Sequence, residues 1–255
     1  MRYLFIEQPT VSGPTSLITG PDARHIKTVL RLKPGDTIGL FDGKGFEYKA
    51  RIVAISSGKV EVSVMQCFPA AAESPAQIIV AQAFLKEKKM DSLIRQLSEL
   101  GITGWLPFFA ERSVPRPDKK QLLARTQRWK KIAREALKQC KRGRILEIGE
   151  TVSFESMLNQ SESSDLKIVF WEEEAAPLDA SLTKFERPIN TIFVVLGPEG
   201  GFTVQEIERA RARGFVTAGL GPRILRAETA TVAACTLLQY LYGDMGKNLD
   251  KDLRF

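Results

Sequence analysis

Residues 191–214 read TIFVVLGPEGGFTVQEIERARARG, and this stretch decides the fold class. The largely apolar run TIFVVL leads into a glycine-rich turn, and a pattern with helical spacing follows. Gly200 and Gly201 permit positive φ in the turn. Thr203 and Glu206 have the spacing of a capping box, so the start of the helix is well defined. A buried strand followed by such a turn and a helix is typical of an α/β domain with a mainly parallel sheet.

The chain divides into two regions of different pattern. Up to about residue 68 it is β-rich, with RYLFI, DTIGLFDG, GFEYKARIVAI and the alternating KVEVSVMQCF, which suits a small barrel. A short basic helix in PDARHIKTVLRLKPGD interrupts the barrel and is predicted to end at Pro34 and Gly35. The segment FPAAAESPA, with two prolines, is the best linker candidate. We therefore predict a barrel domain over residues 1–70 and an α/β domain over residues 75–255.

Positive charge is concentrated in one stretch. Residues Lys119 to Arg144 carry eleven cations and one acid, a net charge of +10, whereas the whole chain carries +7. Apolar residues recur there in steps of three and four, which predicts an amphipathic helix; they are Trp129, Ile132, Ala133, Ala136, Leu137 and Cys140. A solvated charged face would normally mix both signs. The pattern therefore favours a surface that binds a nucleic acid.

Composition disfavours several classes of protein. No apolar run reaches the ~18 residues of a membrane span, and the opening MRYLFIEQP lacks the features of a signal peptide, so we expect a soluble, cytoplasmic protein. The three cysteines are far apart and belong to no CxxC motif, and His25 is the one histidine. We therefore expect no disulfide framework, no metal site and no histidine-based catalytic triad.

The turn LGPEGGFT places free backbone amides at the carboxyl end of a strand, where open α/β sheets bind ligands. It has neither the GK[ST] of a P-loop nor a GxGxxG, and taken alone it is explained equally well as a structural turn. A second turn, GLGPRILRAETAT at residues 219–231, also follows an apolar strand and opens a helix. Two such turns on neighbouring strands would form two walls of a pocket for a flat, mostly uncharged heterocycle. The apolar surface would come from Leu196, Leu220, Ile224 and Leu225, and the close approach from Gly197, Gly201 and Gly221.

Charged residues also stand close to this second strand end. Arg226 and Glu228 are candidates for catalysis or substrate contact. Capping of the last helix explains them equally well, because an acid in the first turn favours the positive end of the helix dipole. Both interpretations stay open at this point.

Five motifs together resemble a known family. GPEGGFT followed by a glutamate, and LGPRILRAETA, are similar to the signature of the ribosomal RNA small-subunit methyltransferases that modify a uridine of 16S RNA at N3. These enzymes belong to the SPOUT, or knotted, methyltransferases. RHIKTVLRLKPGD with DGKG, QLSELGITGWLPFFAERS and REALKQCKRGRILEI agree with the same family in the same order, so the resemblance covers nearly the whole chain.

The resemblance implies a fold and a methyl donor that the residue patterns do not reach. It implies a C-terminal trefoil knot, an N-terminal barrel similar to PUA domains, a homodimer, and S-adenosylmethionine bound between the two glycine turns without a metal. By analogy, Ala230, Ala233 and Ala234 of the last helix would pack at the dimer contact, although a plain core role explains them equally well. The strand end at Phe170 and Trp171 would be a third wall of the pocket. The implied cofactor-binding set is Phe170, Trp171, Leu196, Gly197, Gly200, Gly201, Leu220, Gly221, Ile224, Leu225 and Thr229.

Methyl transfer to uracil N3 would need groups that help remove its proton, since neutral N3 is a poor nucleophile. Arg142 and Arg226 are the candidates to stabilise a developing uracil anion, and Glu228 is the candidate base; phosphate contact by Arg142 and capping by the other two are the alternatives. The target uridine would be extruded, because its pairing edge must be reached. The expected RNA contacts are His25, Lys27, Arg31, Arg134, Lys138 and Arg142, although a solvated helix face explains Lys27 and Arg31 equally well.

Two other functions compete with this hypothesis. An RNA-binding assembly factor without chemistry would need only the basic helix and the barrel, but it would leave the two glycine turns without a ligand. A SPOUT methyltransferase could also act on another RNA or on a ribose 2′-hydroxyl. We predict an S-adenosylmethionine-dependent rRNA (uracil-N3) methyltransferase whose partners are 16S rRNA or the small ribosomal subunit and a second copy of the chain.

Overall fold

The computed structural model describes residues 2–6, 15–70, 73–86, 88–114, 116–174, 176, 178 and 189–246. The chain forms two compact units. The first contains the described residues up to Glu73 together with Leu137–Ile145. The second contains the described residues of Ser74–Ala136 and those from Leu146 onward.

The first unit is built on a five-stranded sheet in the order β1-β3-β4-β5-β2. The pair β1 and β3 is parallel, and the other neighbours are antiparallel. Two register shifts between β4 and β5 bend these long strands, as β-bulges do. This confirms the predicted β-rich barrel as a half-barrel. Its strands are β1 Arg2–Phe5, β2 Thr15–Thr19, β3 Thr37–Phe41, β4 Phe46–Ser56 and β5 Lys59–Pro69.

The basic helix of this unit is shorter than the sequence predicted. It consists of α1, Gly20–Arg24, and a π-helical turn, His25–Val29, so it ends before Pro34 is reached. The N–H of Leu30 donates to the carbonyl of His25, and Arg31 has a φ of 53°. The prediction that the Pro-Gly pair ends the helix was wrong, because this left-handed residue ends it first.

The end of the basic stretch of sequence adds to the first unit. The N–H of Gly45 donates to Gly143 O and that of Ile145 donates to Gly43 O, each at 2.9 Å. Lys44 and Arg144 form an antiparallel bridge between these bonds. The segment therefore pairs with the barrel through its backbone, although about 100 residues separate the two in sequence.

The second unit is built on a parallel sheet in the order β12-β10-β11-β6-β7-β8, with β9 also pairing with β7. Its central strands are buried on both faces, as strands covered by helices must be. The predicted mainly parallel α/β domain is confirmed. The strands are β6 Gln77–Ala83, β7 Gly104–Phe109, β8 Glu147–Ile148, β9 Val152–Ser153, β10 Leu166–Phe170, β11 Thr191–Leu196 and β12 Val216–Ala218.

The helix after the first glycine turn begins where the sequence predicts. The capping box between Thr203 and Glu206 is present, and Gly214, with a φ of 79°, follows the same helix. Among the described residues, no helix is both long and apolar enough to cross a membrane. The helices are α2 Lys89–Glu99, α3 Lys119–Cys140, α4 Phe154–Gln160, α5 Val204–Ala212 and α6 Ala227–Leu241.

Helix α3 is amphipathic as predicted. Trp129, Ala133 and Ala136 are buried, whereas most of its cations are exposed. The indole N–H of Trp129 donates to Asp91 of α2 at 3.0 Å, and its ring meets that of Trp105 edge to face at 4.9 Å. These contacts fix the apolar side of α3 and leave its basic side in solvent.

Candidate active site

A pocket lies where three parallel strands end. Phe170 of β10 is in register with Leu196 of β11 and with Ala218 of β12, so the segments after these strands start side by side. The pocket has a volume of about 800 Å³, within the usual range for small-molecule sites. It is lined by Lys89, Phe170–Glu174, Ala176, Leu196–Glu199, Gly201, Gly219–Ala227 and Ala230.

The first glycine turn is held from both sides. The N–H of Gly201 donates to Pro198 O at 3.0 Å, and Gly201 has a φ of 68°. A Cβ on Gly201 would displace the Glu172 carboxylate, which can move as the end of a flexible side chain, so glycine is favoured there chiefly for the conformation. On the other side, the Arg112 guanidinium donates to Gly200 O at 3.0 Å.

The helix after this turn is anchored by a buried carboxylate. Glu206 is 1% exposed and accepts the N–H groups of Thr203 at 3.0 Å and of Glu111 at 2.9 Å. Because a buried carboxylate must have such donors, it ties the start of α5 to the end of β7. The backbone of the first turn is thereby preorganised for a ligand.

The second glycine turn opens α6. Its N-cap is Arg226, and Gly221 has a φ of 91° in open space, where a Cβ would have no atom within 4 Å. Residues three apart share a helix face, so Ala227 and Ala230 both line the pocket. Small side chains there leave room for a ligand beside the helix.

The contact between the second turn and the segment after β10 is close. The N–H of Gly219 donates to Ala176 O at 2.9 Å, and a Cβ on Gly219 would collide with Glu174 O. The chain after β12 therefore returns against the chain after β10. This crossing agrees with the threading expected of a SPOUT knot.

Carboxylates outnumber cations in the pocket lining by one. Glu172, Glu173, Glu174 and Glu199 line it, against three cations. The lining offers no excess of positive charge to hold a triphosphate, in agreement with the missing P-loop lysine. A ligand with positive charge suits this lining better.

Two of these carboxylates have lowered pKa values. The hydroxyl of Thr217, at 2.6 Å, is the main cause for Glu174; the N–H of Ala176 and the Arg211 guanidinium, at 2.9 Å, add to it. Burial acts to raise the pKa of Glu199. The N–H of Lys86 and the ammonium of Lys89 outweigh it, and the pKa stays below its ordinary value.

The structure brings together nine of the eleven residues predicted for the cofactor; Gly200 and Thr229 lie outside the pocket lining. Gly200 instead packs against Arg112, and Thr229 is exposed on α6. Among the predicted catalytic residues, Arg226 lines the pocket. Glu228 does not, and forms an ion pair with Lys89 at 3.4 Å.

Arg142 lies in the first unit and is only 4% exposed. Its guanidinium donates to Glu73 Oε2 at 2.9 Å, and Glu73 Oε1 accepts the N–H of Arg144 at 2.8 Å. The arrangement is a buried ion pair that fixes the end of the basic stretch to the barrel. The proposed catalytic and RNA-binding roles of Arg142 stay predictions.

The other predicted RNA contacts are more accessible. His25, Lys27, Arg31 and Lys138 are exposed, and Arg134 is half-buried. The positive φ at Arg31 is a conformation that non-glycine residues rarely adopt. Their contact with RNA stays a prediction.

Several pocket residues were missed by sequence reasoning. The acidic run Glu172–Glu174 directly follows an apolar strand, and Glu199 lies within the first glycine turn, so both could have been found by extending the quoted motifs. Lys89 gave no such signal. It reaches the pocket only because α2 packs beside both turns, with Lys89 bound to Glu199 and Glu228.

Comparison with known proteins agrees with this architecture. Residues 72–239 match the family model of the RNA methyltransferase domain, and residues 18–65 match that of the RNA methyltransferase PUA domain. The half-barrel and the parallel domain are thus those of an RNA methyltransferase of the SPOUT class. The chain belongs to the ribosomal RNA small subunit methyltransferase E family, since it is 34% identical to that protein of Bacillus subtilis over 94% of this chain and 96% of the relative.

Solved structures show the same similarity. A ribosomal RNA small subunit methyltransferase E of Neisseria gonorrhoeae, bound to S-adenosylmethionine, superposes with a TM-score of 0.79 at 31% identity, covering 96% of this chain and 99% of that one. A methyltransferase of Legionella pneumophila, also with S-adenosylmethionine bound, has a TM-score of 0.79 at 27% identity, over 95% and 98%. The predicted family and fold class are confirmed.

Proposed function

We propose that this chain transfers a methyl group from S-adenosylmethionine to N3 of a uridine in 16S ribosomal RNA. The observation that carries the proposal is the pocket of about 800 Å³ between the two glycine turns. It lies in a chain whose relative from Neisseria gonorrhoeae was solved with that donor. The absence of a metal requirement and a cytoplasmic location are parts of the same proposal.

The lining fits the proposed donor. Leu196, Leu220 and Leu225 provide apolar surface for the adenine ring, and the open position of Gly221 lets the backbone approach it closely. The carboxylates of Glu172 and Glu173 provide negative potential. When bound, the donor supplies an electrophilic methyl group on a positively charged sulfur.

Arg226 is our candidate for the group that acts on the uracil. It lines the pocket, it is exposed, and as the N-cap of α6 it stands beside the donor pocket. A guanidinium there can donate to a uracil carbonyl oxygen and stabilise the negative charge that grows as N3 loses its proton. Glu228 as the proton acceptor is the second part of the proposal, and in that role its carboxylate must leave Lys89.

The basic face of α3 is the proposed path of the RNA. Its exposed cations, among them Lys130 and Lys131, can contact phosphates, which position RNA without reading its sequence. The target uridine must leave its stack so that its pairing edge can enter the pocket, at a cost of a few kcal/mol.

A homodimer through α6 completes the proposal. Ala234 is fully buried and Ala230 lines the pocket, which favours the alternative role within the chain's own fold for these two small residues. The exposed side of α6 instead carries Leu237, Tyr240 and Leu241, which are 42%, 62% and 47% exposed. Large apolar side chains grouped on one helix face are typical of a surface that another chain covers.

The decisive experiment is to delete the gene in its own organism and map reverse-transcription stops on 16S RNA. An N3 methyl blocks pairing, so one stop should vanish and should return when the wild-type gene is restored. Persistence of every stop would contradict N3 methylation. Calorimetry with S-adenosylmethionine tests the alternative of an assembly factor without chemistry, which would bind none at millimolar concentration.

The proposed role of Arg226 needs a matched control. We expect Arg226→Gln to lower kcat about 100-fold, as removal of one charge-stabilising donor does, while binding of the donor stays near normal. Arg213→Gln removes an exposed cation of the same unit that pairs with Glu162 outside the pocket, and should leave kcat unchanged. Equal activity of the two variants would refute the role.

A further inference from the structure

A buried glutamine lies beneath the pocket. Gln82 is on β6, in register with Leu196 of β11, and is fully buried. It does not line the pocket, and an unpaired amide at such a place would be costly. Burial of a polar side chain at the end of a central strand therefore needs a reason.

The hydrogen bonds of Gln82 fix the orientation of its amide. Nε2 donates to Gly197 O and to Ala83 O, each at 3.2 Å, and Oε1 accepts from the Thr231 hydroxyl at 2.6 Å. Both neighbours of Nε2 are carbonyl oxygens, which can only accept hydrogen bonds. If the amide were rotated by 180°, its oxygen would lie against these two carbonyl oxygens with no proton between them. The Thr231 hydroxyl has a single proton, and it donates this proton to Gln82 Oε1.

These bonds join the two glycine turns. Gly197 belongs to the first turn and lines the pocket. Thr231 belongs to α6, is fully buried, and lies 2.8 Å from the carbonyl of Ala227, which lines the pocket on the other side. One side chain on a third strand thus contacts both walls, although it is 115 residues from Gly197 and 149 from Thr231.

We propose that Gln82 is a positioning residue for methyl transfer: its buried amide holds the first glycine turn and the start of α6 at the spacing that binds the donor and aligns its methyl group. The proposal rests on the proposed function, because it assumes that the pocket binds S-adenosylmethionine. Gln82 acts through Gly197 and Thr231 and touches no reactant.

A partly exposed link between the same two elements serves as a comparison. Lys89 binds Glu199 of the first turn at 3.1 Å and Glu228 of α6 at 3.4 Å, with about a quarter of each side chain exposed. Solvent can reach and screen these partly exposed ion pairs, whereas a fully buried amide has no water as an alternative partner. The effect of Lys89→Met on donor affinity should therefore be smaller than that of Gln82→Leu.

Besides Lys89→Met, the test uses the full-length protein and four variants. Gln82→Leu removes the amide at similar volume, Thr231→Val removes the hydroxyl at the same shape, and Thr231→Ser restores it. Ser161→Ala is the matched control: Ser161 is fully buried in the same unit, donates one hydroxyl bond to Leu158 O at 2.7 Å, and lies outside the pocket lining. Melting temperature, the dissociation constant for S-adenosylmethionine, KM and kcat are measured for each.

We expect Gln82→Leu and Thr231→Val to weaken donor binding about tenfold and to lower kcat, whereas Thr231→Ser stays within about threefold of wild type. Ser161→Ala should lower the melting temperature without changing the donor KM. Wild-type donor binding by Gln82→Leu, or an equal loss in Ser161→Ala, would overturn the inference. If Gln82→Leu does not fold, the two Thr231 variants decide by the same criterion.

The outcome also separates this inference from the proposed function. A wild-type protein that binds no S-adenosylmethionine would overturn both. A wild type that binds the donor, with Thr231→Val and Gln82→Leu binding equally well, would overturn the positioning role alone.

Discussion

Replacement of Gly219 by alanine tests whether the second glycine turn and the segment after β10 must touch for the pocket to form. A Cβ at this position would collide with the backbone oxygen of Glu174, which cannot rotate away as a side chain does. Gly219 does not have a positive φ, so alanine causes no conformational strain there. The whole effect comes from the collision.

The magnitude follows from two contributions. Forcing an extra carbon into a packed site costs about 1–3 kcal/mol. The separation also stretches the bond from Gly219 N–H to Ala176 O, now 2.9 Å, whose loss costs about 1 kcal/mol. We expect Gly219→Ala to lower the free energy of unfolding by roughly 2–4 kcal/mol and the melting temperature by roughly 5–15 °C.

The assay combines urea unfolding with calorimetry of S-adenosylmethionine binding. Gly214→Ala is the control, because Gly214 has a φ of 79°, lies outside the pocket lining, and meets only the flexible end of Lys167. It should cost about 1–2 kcal/mol of stability through strain alone and leave donor affinity unchanged. Gly219→Ala should weaken binding of S-adenosylmethionine at least tenfold. Donor affinity within twofold of wild type in folded Gly219→Ala would refute the reasoning.

Three further predictions concern charge. The pKa of Glu174 in the folded protein is below its ordinary 4.5, so its ionised carboxylate stabilises the fold above that pH and the stabilisation is lost as the pH falls. The difference in melting temperature between wild type and Glu174→Gln should therefore vanish in acid. Arg142→Ala should lower the free energy of unfolding by about 3 kcal/mol in urea, which is the low end for a broken buried ion pair because Glu73 is 20% exposed. Glu73→Gln should lower it by less. An unchanged urea midpoint in Arg142→Ala would contradict this prediction. If about six phosphates are contacted, a plot of the logarithm of the RNA-binding constant against the logarithm of the salt concentration should have a slope of roughly −4 to −5. The double variant Lys130→Gln, Lys131→Gln should reduce the magnitude of this slope by about 1.5. RNA binding that does not depend on salt would refute the proposed RNA surface.

Local patterns predicted the elements of this fold well. The capping box of Thr203, the alternation in β5 and the apolar face of α3 each depend on residues a few positions apart. Helix α1 was the exception, because nothing in its composition predicts that Arg31 takes a left-handed conformation before the Pro-Gly pair is reached. The strand-end position of both glycine turns was predictable for the same local reason.

The partners inside the site were not predictable in this way. Sequence patterns gave no signal that Arg142 is buried against Glu73, 69 positions away, and its catalytic and RNA-binding roles stay predictions. Lys89 and Gln82 lie in ordinary helix and strand patterns and gave no signal of the turns that they contact. Helical phase also decided that Ala227 and Ala230, and not Thr229, line the pocket.

The sequence by itself determined the two kinds of region, the parallel α/β class, the basic amphipathic helix and the two glycine turns, because these depend on backbone preference and on apolar spacing within a few residues. Only the tertiary structure decided that β6 lies between β11 and β7, and hence that Gln82 meets both turns. Hydrogen-bond partners more than a hundred residues apart leave no periodicity in the chain. They are set by strand order and register, which arise when the whole sheet packs.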